Sequence, residues 1–91
     1  MAGDGPATWN RVAALAPNES LLIQGDAQSV LAGLPASSMA CVVTSPPYWG
    51  LRDYNINKQI GLEDTLPEFL DRLLSVFEQV RRVLREDGVL W

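Results

Sequence analysis

Four consecutive residues carry groups that could take part in chemistry, and they are Ser45, Pro46, Pro47 and Tyr48. The serine hydroxyl can both donate and accept hydrogen bonds. Because proline fixes its own φ and restricts the residue before it, the backbone carbonyl oxygens of Ser45 and Pro46 must point in defined directions. The ring of Tyr48 offers an aromatic face. Such groups could together hold a flat ligand that carries an amino group.

The segment before this motif predicts the element that positions it. Residues 39–44 are apolar and become β-branched towards Thr44, a pattern typical of a strand that is buried on both faces, as in parallel sheets. Cys41 lies inside this predicted strand, so we expect it to be a small core residue. In open α/β sheets ligands bind just beyond the carboxyl ends of the strands, which is where Ser45 would lie.

A strand, a tight turn and a short helix are predicted upstream. Residues 20–24 form a short apolar run that Gly25 breaks, and Asp26 then opens a segment with Val30 and Leu34 at helical spacing. The order of strand, helix and strand suits a right-handed crossover with parallel pairing. Asp26 has two compatible interpretations: it could be the N-cap of this helix, or a carboxylate that accepts a hydrogen bond from a nucleoside cofactor.

The most regular pattern in the chain predicts a long amphipathic helix. Thr65 and Glu68 have the spacing of a capping box, with Pro67 in the first turn. Glu68 also forms an i,i+4 pair with Arg72. The apolar positions recur every three or four residues, and they are Phe69, Leu70, Leu73, Leu74, Phe77, Val80 and Leu84.

The end of this helix is predicted from a glycine. Gly88 suits the left-handed conformation that often follows a helix, so we expect the helix to end at Asp87. Near that end, Arg82 could form an i,i+4 pair with Glu78. Residues 89–91 then begin another apolar run, which predicts a further strand.

Composition restricts the classes of protein that fit. A chain of 91 residues, 47% of them hydrophobic, allows one small globular domain. Seven basic and eleven acidic side chains give a net charge of −4, the wrong sign for a surface that must neutralise phosphates. One cysteine and no histidine argue against a disulfide or a zinc site. The sequence contains no signal peptide or membrane-length apolar run, so a cytoplasmic location is predicted.

The motif at residues 45–48 resembles motif IV, written [D/N/S]-P-P-[Y/F/W], of the amino-group DNA methyltransferases, which make N4-methylcytosine or N6-methyladenine. The resemblance extends from about residue 21 to residue 91. It includes Gly25-Asp26, the run W-G-L-R-D-Y at 49–54, and the run I-G-L-E at 60–63 that leads into the long helix. The family uses S-adenosylmethionine as its methyl donor, and its acidic residue at the position of Asp26 lies near the adenosyl moiety.

The resemblance implies a catalytic role for all four motif residues. The Ser45 hydroxyl and the Pro46 carbonyl would accept hydrogen bonds from the exocyclic amine of a base rotated out of the duplex. Pro47 would stiffen this geometry, and Tyr48 would stack on the base. Within the family, serine at the first position leans towards cytosine and aspartate towards adenine, so cytosine is slightly favoured.

The resemblance also predicts an incomplete domain. The family's F-x-G-x-G cofactor loop is absent, as expected for the permuted subclass in which that loop follows the S-P-P-Y half. We therefore expect an α/β fold, a truncated part of a Rossmann-like methyltransferase fold with parallel strands and crossover helices. Residues 1–19 would be a loosely ordered leader with a helical turn near residues 9–15, and residues 20–91 the N-terminal catalytic half, inactive alone.

Expected partners are double-stranded DNA, the remainder of the methyltransferase chain and a cognate restriction endonuclease, with no membrane.

Several alternatives remain open at the level of sequence. Residues 51–59 could close over a flipped base or form a solvated loop, and Arg52 could contact a phosphate or pair with Asp53. The basic run Arg81, Arg82 and Arg85 could reach DNA or complement the helix dipole. The chain could also be a non-catalytic DNA-binding or assembly module, a degenerate or split methyltransferase half, which the absent glycine loop favours and the intact motif opposes. Methylation of RNA or of a protein glutamine is a third possibility.

Overall fold

The computed structural model of the protein describes residues 6–50 and 59–91. In chain order the elements are helix α1 (Pro6–Ala13), helix α2 (Ala27–Ala32), strand β1 (Met39–Val42), helix α3 (Leu66–Val83) and strand β2 (Leu84–Leu90). The two strands pair in parallel, and α3 lies between them in the chain. This α/β arrangement is compatible with part of a methyltransferase fold, and it places the carboxyl ends of both strands side by side.

Helix α1 falls within the predicted leader. It spans Pro6–Ala13, so it overlaps the predicted helical turn and begins before it. Thr8 on this helix is buried, with 3% of its surface exposed. The division into a leader and a catalytic half at residue 20 stays a prediction.

Residues 20–24 do not form the predicted strand, and their predicted parallel pairing with β1 is therefore wrong. A strand exists through hydrogen bonds to a neighbouring strand, and the sheet in the described part of the chain contains only β1 and β2. Leu22 is 96% exposed while Leu21 and Ile23 are half-buried, so the run has one partly covered face but no ladder partner in the described residues. The short helix that follows is confirmed as α2.

Helix α3 begins where the capping box predicts. Thr65 is its N-cap, its side chain accepts a hydrogen bond of 3.3 Å from the backbone N–H of Glu68, and proline occupies the first turn. The helix buries Phe69, Val80 and Val83. Leu70 and Leu74 of the predicted apolar stripe remain 45% and 59% exposed, because the described elements cover only part of that stripe.

Helix α3 ends at Val83, so the predicted end at Asp87 is wrong. Leu84 adopts an extended conformation and pairs with Met39, which takes the chain directly from helix into β2. Gly88 does not have the predicted left-handed conformation. A Cβ at this position would lie 2.8 Å from the carbonyl oxygen of Arg85, so glycine here permits a close approach of backbone to backbone.

The register of the sheet shows that strand β2 is irregular between Leu84 and Val89, the stretch that contains Gly88. Met39 pairs with Leu84 and Cys41 with Val89, so two steps along β1 correspond to five along β2. The extra residues form an irregularity in the ladder, which resumes with Val42 opposite Leu90. The strand predicted at 89–91 is thus confirmed, and Trp91 continues its hydrogen bonding.

Strand β1 is not buried on both faces as predicted. Ala40 and Cys41 are exposed, and Val43 just beyond the strand is 75% exposed. The prediction that Cys41 is a core residue is therefore wrong. The physical reason is that a two-stranded sheet with the described helices beside it has too few neighbours to cover both of its faces.

Arg82 connects helix α3 to the end of α2 and to the segment before β1. Its Nη2 donates hydrogen bonds to the carbonyl oxygens of Leu31 and Leu34 at 2.8 and 2.6 Å, and its Nε donates to Gln79. The predicted pair with Glu78 is therefore replaced by contacts with the end of α2. The carbonyl oxygen of Arg82 also accepts a hydrogen bond from the backbone N–H of Ser37, just before β1. The end of α3 consequently holds both α2 and the start of β1.

Candidate active site

Strand β1 delivers the four motif residues to the carboxyl edge of the sheet. The backbone N–H of Trp91 donates to Val42 at 2.9 Å, and that of Thr44 donates to Trp91 at 3.0 Å. Ser45 is therefore the first residue beyond the ladder. It lies where the carboxyl ends of two parallel strands meet, the place at which α/β sheets bind ligands.

The motif residues are open to solvent. Ser45, Pro46 and Pro47 are exposed, and Tyr48 is 75% exposed. In residues 6–50 and 59–91, no hydrogen bond occupies the hydroxyl of Ser45 or of Tyr48. A hydroxyl, two carbonyl oxygens constrained by prolines and an aromatic face are thus presented together at one edge of the sheet.

The segment after the motif is held by contacts to residues 61–63. Nε1 of Trp49 donates a hydrogen bond of 2.8 Å to the carbonyl oxygen of Glu63, and the backbone N–H of Gly50 donates to the carbonyl oxygen of Gly61. Gly50 and Gly61 have φ values of +71° and +112°, a region that favours glycine. The I-G-L-E run thus packs against the W-G that follows the motif.

Glu63 also forms an ion pair that the sequence did not predict. Its Oε2 accepts a hydrogen bond of 2.6 Å from Nη1 of Arg72, and its Oε1 accepts one of 2.8 Å from the backbone N–H of Gly61. Burial raises the pKa of the Glu63 carboxyl, but the hydrogen bonds from the Glu63 and Gly61 backbone and the Arg72 guanidinium outweigh it. The pKa therefore lies below its usual value. The i,i+4 rule pairs Arg72 with Glu68, so sequence spacing carried no signal for this contact.

Asp26 has the structural role that one interpretation predicts. It is the N-cap of α2, and its Oδ2 accepts hydrogen bonds from the backbone N–H and the hydroxyl of Ser29, at 3.0 and 3.1 Å. The carboxylate is exposed. Its contact with a nucleoside cofactor stays a prediction.

Two other predictions concern the surroundings of the site. The predicted loop at 51–59, including Arg52, lies outside the described residues except for Gln59. Arg81 is exposed, Arg82 bonds to α2 as described above, and Arg85 pairs with Asp87 at 3.2 Å, so the basic run is divided among three environments.

Within the described part of the chain, no cluster of side chains could hold a metal ion, and no helix is both long and apolar enough to cross a membrane.

Comparison with known proteins identifies the family to which these features belong. A family model described as DNA methylase matches residues 39–91, the stretch that contains β1, the motif, α3 and β2. The chain belongs to this DNA methylase family. The membership in an amino-group methyltransferase family that residues 45–48 predict is thereby confirmed.

Individual relatives of this DNA methylase chain are Type II methyltransferases. The chain is 62% identical to M.XycI of Xanthomonas campestris pv. cyanopsidis over 72 residues, which are 79% of this chain and 24% of that protein. It is 57% identical to M.Cfr9I of Citrobacter freundii over 74 residues, 81% of this chain and 25% of that protein. The chain thus spans about a quarter of the length of the curated relatives it matches. No solved structure matches it.

Proposed function

We propose that this chain is the catalytic-motif segment of a site-specific DNA methyltransferase. The enzyme would transfer a methyl group from S-adenosylmethionine to the exocyclic amino group of cytosine (N4) or adenine (N6) in a base rotated out of the duplex. Membership in the DNA methylase family supports this function. The structural observation that carries it is the position of Ser45, exposed and first beyond the ladder at the carboxyl edge of a parallel sheet.

The motif residues suit the chemistry that such an amine requires. An exocyclic amine is a poor nucleophile, because its lone pair is delocalised into the ring. The Ser45 hydroxyl and the Pro46 carbonyl can accept hydrogen bonds from the amine, which favours a tetrahedral nitrogen. Pro47 fixes its own φ and so limits the motion of the backbone around that carbonyl. Serine is not a base at neutral pH, so Ser45 orients the amine and does not remove its proton before transfer.

Tyr48 provides the surface on which the base would rest. Its ring is 75% exposed and lies directly after the two prolines. Stacking of a base on an aromatic side chain contributes about 1–3 kcal/mol. Serine at the first motif position favours cytosine as the substrate, by resemblance to the family.

One residue of this chain fits a role in holding S-adenosylmethionine, which supplies an electrophilic methyl group on sulfur. Both hydrogen bonds that cap α2 use Oδ2 of Asp26. Oδ1 of the same exposed carboxylate can therefore accept a hydrogen bond from a nucleoside hydroxyl while the cap is intact. The family's F-x-G-x-G loop does not occur in this sequence, so the rest of the cofactor site would come from further protein.

The proposed partners follow from the proposal that this chain supplies only part of the enzyme. Double-stranded DNA is the substrate, and the net charge of −4 indicates that most phosphate contacts come from the remainder of the methyltransferase chain. A cognate restriction endonuclease is proposed from the Type II naming of the relatives. Such an enzyme would meet DNA in the cytoplasm.

A second candidate function is assembly without catalysis. It is favoured by the exposed apolar side chains of the sheet and its approaches, namely Leu22, Val43, Val89, Leu90 and Trp91. A degenerate or split methyltransferase half would use such surfaces to pack against another chain. The two candidates differ in whether the motif residues matter for methyl transfer.

The decisive experiment uses a chimeric enzyme. This chain replaces the segment of the Xanthomonas relative that it matches, and transfer of a labelled methyl group from S-adenosylmethionine to DNA is measured. Mass spectrometry of the digested DNA then distinguishes N4-methylcytosine from N6-methyladenine. Calorimetry measures the binding of S-adenosylmethionine to the chimera and to the 91-residue chain.

Matched variants decide between the two candidates. We expect an active chimera in which Ser45→Ala lowers the transfer rate at least about 100-fold, in the range found when one aligned hydrogen bond is lost. Ser75→Ala is the control, because the Ser75 hydroxyl donates to the carbonyl oxygen of Asp71 in its own helix, away from the motif. A folded chimera that binds DNA or cofactor but transfers no methyl group would support the assembly module instead.

A further inference from the structure

Residues 49–50, directly after the motif, are hydrogen-bonded to residues 61–63. The chain leaves the motif through Trp49 and Gly50 and returns at Gln59. The Gly50 backbone N–H donates to Gly61, and the Trp49 indole donates to the carbonyl oxygen of Glu63 at 2.8 Å. We call the contacts among residues 49–50, 59–63 and Arg72 the clasp. The clasp therefore fixes residues 49–50 relative to residues 59–63 and helix α3.

The Glu63 carboxylate is the centre of the clasp. Its side chain is 5% exposed, and each of its two oxygens accepts a hydrogen bond, from Gly61 at 2.8 Å and from Arg72 at 2.6 Å. The same Nη1 of Arg72 donates to the carbonyl oxygen of Gln59 at 3.2 Å. Since Arg72 lies in the second turn of α3, the clasp is anchored to the longest helix of the described structure. A part-buried, charge-assisted network of this kind holds its members more firmly than isolated surface pairs do.

The clasp also lies directly against the motif. A Cβ at Gly61 would lie 3.1 Å from the carbonyl oxygen of Tyr48 and 3.6 Å from Cβ of Pro47. Gly61 therefore lies beside the Tyr48 carbonyl and the Pro47 side chain, with little room for a side chain of its own. Tyr48 thus has two constraints, the prolines before it and the clasp beside and after it, while its ring stays 75% exposed.

We propose that Glu63 is a positioning residue for methyl transfer, which sets the place of Tyr48 and Trp49 relative to helix α3. This role rests on the proposed function. Glu63 itself does not touch the base. It holds Gly61 against Tyr48 through its side chain and holds the Trp49 indole through its backbone carbonyl. An aromatic ring whose backbone is fixed in advance receives a flipped base at a lower entropic cost than one that must be ordered on binding.

The first test measures the contact itself and needs no enzymatic activity. In the 91-residue chain the indole N–H of Trp49 is followed by NMR hydrogen exchange, with Trp9 and Trp91 as internal references. We expect Glu63→Gln to abolish the protection of the Trp49 indole, because the amide NH2 would replace one of the two oxygens and face either the Gly61 N–H or the Arg72 guanidinium, both of which are donors. Glu78→Gln is the matched control, an exposed glutamate on α3, and should leave the protection unchanged. Unchanged protection in Glu63→Gln overturns the proposal.

The second test measures the consequence for transfer in the active chimera. We expect Glu63→Gln to lower kcat/KM for DNA about 10-fold to 100-fold, as small misplacements of reacting groups do, with the Kd of S-adenosylmethionine unchanged. Glu63→Asp, which keeps the charge, should recover part of this loss. Trp49→Phe keeps an aromatic side chain but removes the indole N–H and part of the ring, so it should lower kcat/KM without unfolding the protein.

The outcomes separate this role from the proposed function. Lost indole protection with unchanged kcat/KM would make the clasp a purely structural contact and overturn the positioning role. An active chimera that ignores both Glu63→Gln and Trp49→Phe would do the same while leaving the proposed function intact. A chimera that folds but is inactive before any substitution would instead remove the proposed function, and the positioning role with it.

Discussion

Arg82 and Leu34 are joined by a hydrogen bond of 2.6 Å between the guanidinium Nη2 and the backbone carbonyl oxygen. The contact connects the last turn of α3 to the segment after α2, across 48 residues of chain. Leu34 is itself buried, so the bond lies beside the small core that Leu34 forms with residues of α3. The spatial relation of the Asp26 cap to strand β1 depends on this connection, because α2 follows Asp26 and Arg82 also binds the start of β1.

Removing the Arg82 guanidinium should destabilise the chain. Arg82→Met keeps the aliphatic stem and helix propensity but leaves the carbonyl oxygens of Leu31 and Leu34 without this donor. Hydrogen bonds to charged groups contribute about 1.5–3 kcal/mol, and water partly replaces them here, so we expect the free energy of unfolding to fall by about 1–3 kcal/mol. Arg81→Met, at an exposed neighbouring position, should change it by less than about 0.5 kcal/mol. Urea unfolding followed by circular dichroism measures both, and equal effects would contradict the assigned role of Arg82.

Loss of the Thr65 cap should weaken the start of α3. Thr65→Ala removes the oxygen that accepts from the Glu68 N–H, while Thr65→Ser retains it. Because the bond is long, at 3.3 Å, we expect a loss near the lower end of the usual range, about 0.5–1 kcal/mol, for alanine only. Thermal unfolding of the three proteins provides the measurement. A serine variant as unstable as the alanine variant would show that the cap does not act through its hydroxyl.

Val83 should be among the most sensitive apolar positions of the described core. It is fully buried at the end of α3, so Val83→Ala removes two methyl-sized groups and leaves a cavity. We expect the free energy of unfolding to fall by about 1.5–3 kcal/mol. Leu74→Ala removes a larger side chain from a position that is 59% exposed, and should cost less. Chemical denaturation tests the order, and a greater loss for Leu74→Ala would mean that its face is packed in solution.

Acid should weaken the clasp through Glu63. Its pKa is lower in the folded state than in the unfolded chain, because the backbone N–H groups and the Arg72 guanidinium favour the carboxylate. A depressed folded-state pKa adds stability that is complete above the unfolded value of about 4.3 and is lost as pH falls through the folded value. The difference in unfolding free energy between the native chain and Glu63→Gln should therefore be constant above about pH 5 and shrink at lower pH. Urea titrations across this range measure it, and a difference that does not change with pH would exclude the ion pair as its source.

The sequence alone determined the features that depend on neighbouring residues. The motif of Ser45 to Tyr48 could be recognised from the sequence because prolines act on the adjacent backbone. The start of α3 could be predicted because capping couples Thr65 to a residue three positions later. Asp26 was readable as an N-cap for the same reason. The family assignment rests on the same local pattern and was confirmed by the match at residues 39–91.

The tertiary structure decided what depends on distant partners and on which surfaces are covered. Whether Cys41 is buried and whether residues 20–24 form a strand depends on what packs or pairs against them, and no local pattern contains that information. The pairing of Leu84 with Met39 ended α3 before the glycine that suggested a later end. The sequence could not predict the contact of Glu63 with Arg72 or that of Arg82 with Leu34, for the same reason. Electrostatic and hydrogen-bond partners are determined by proximity in space and not by spacing in the chain.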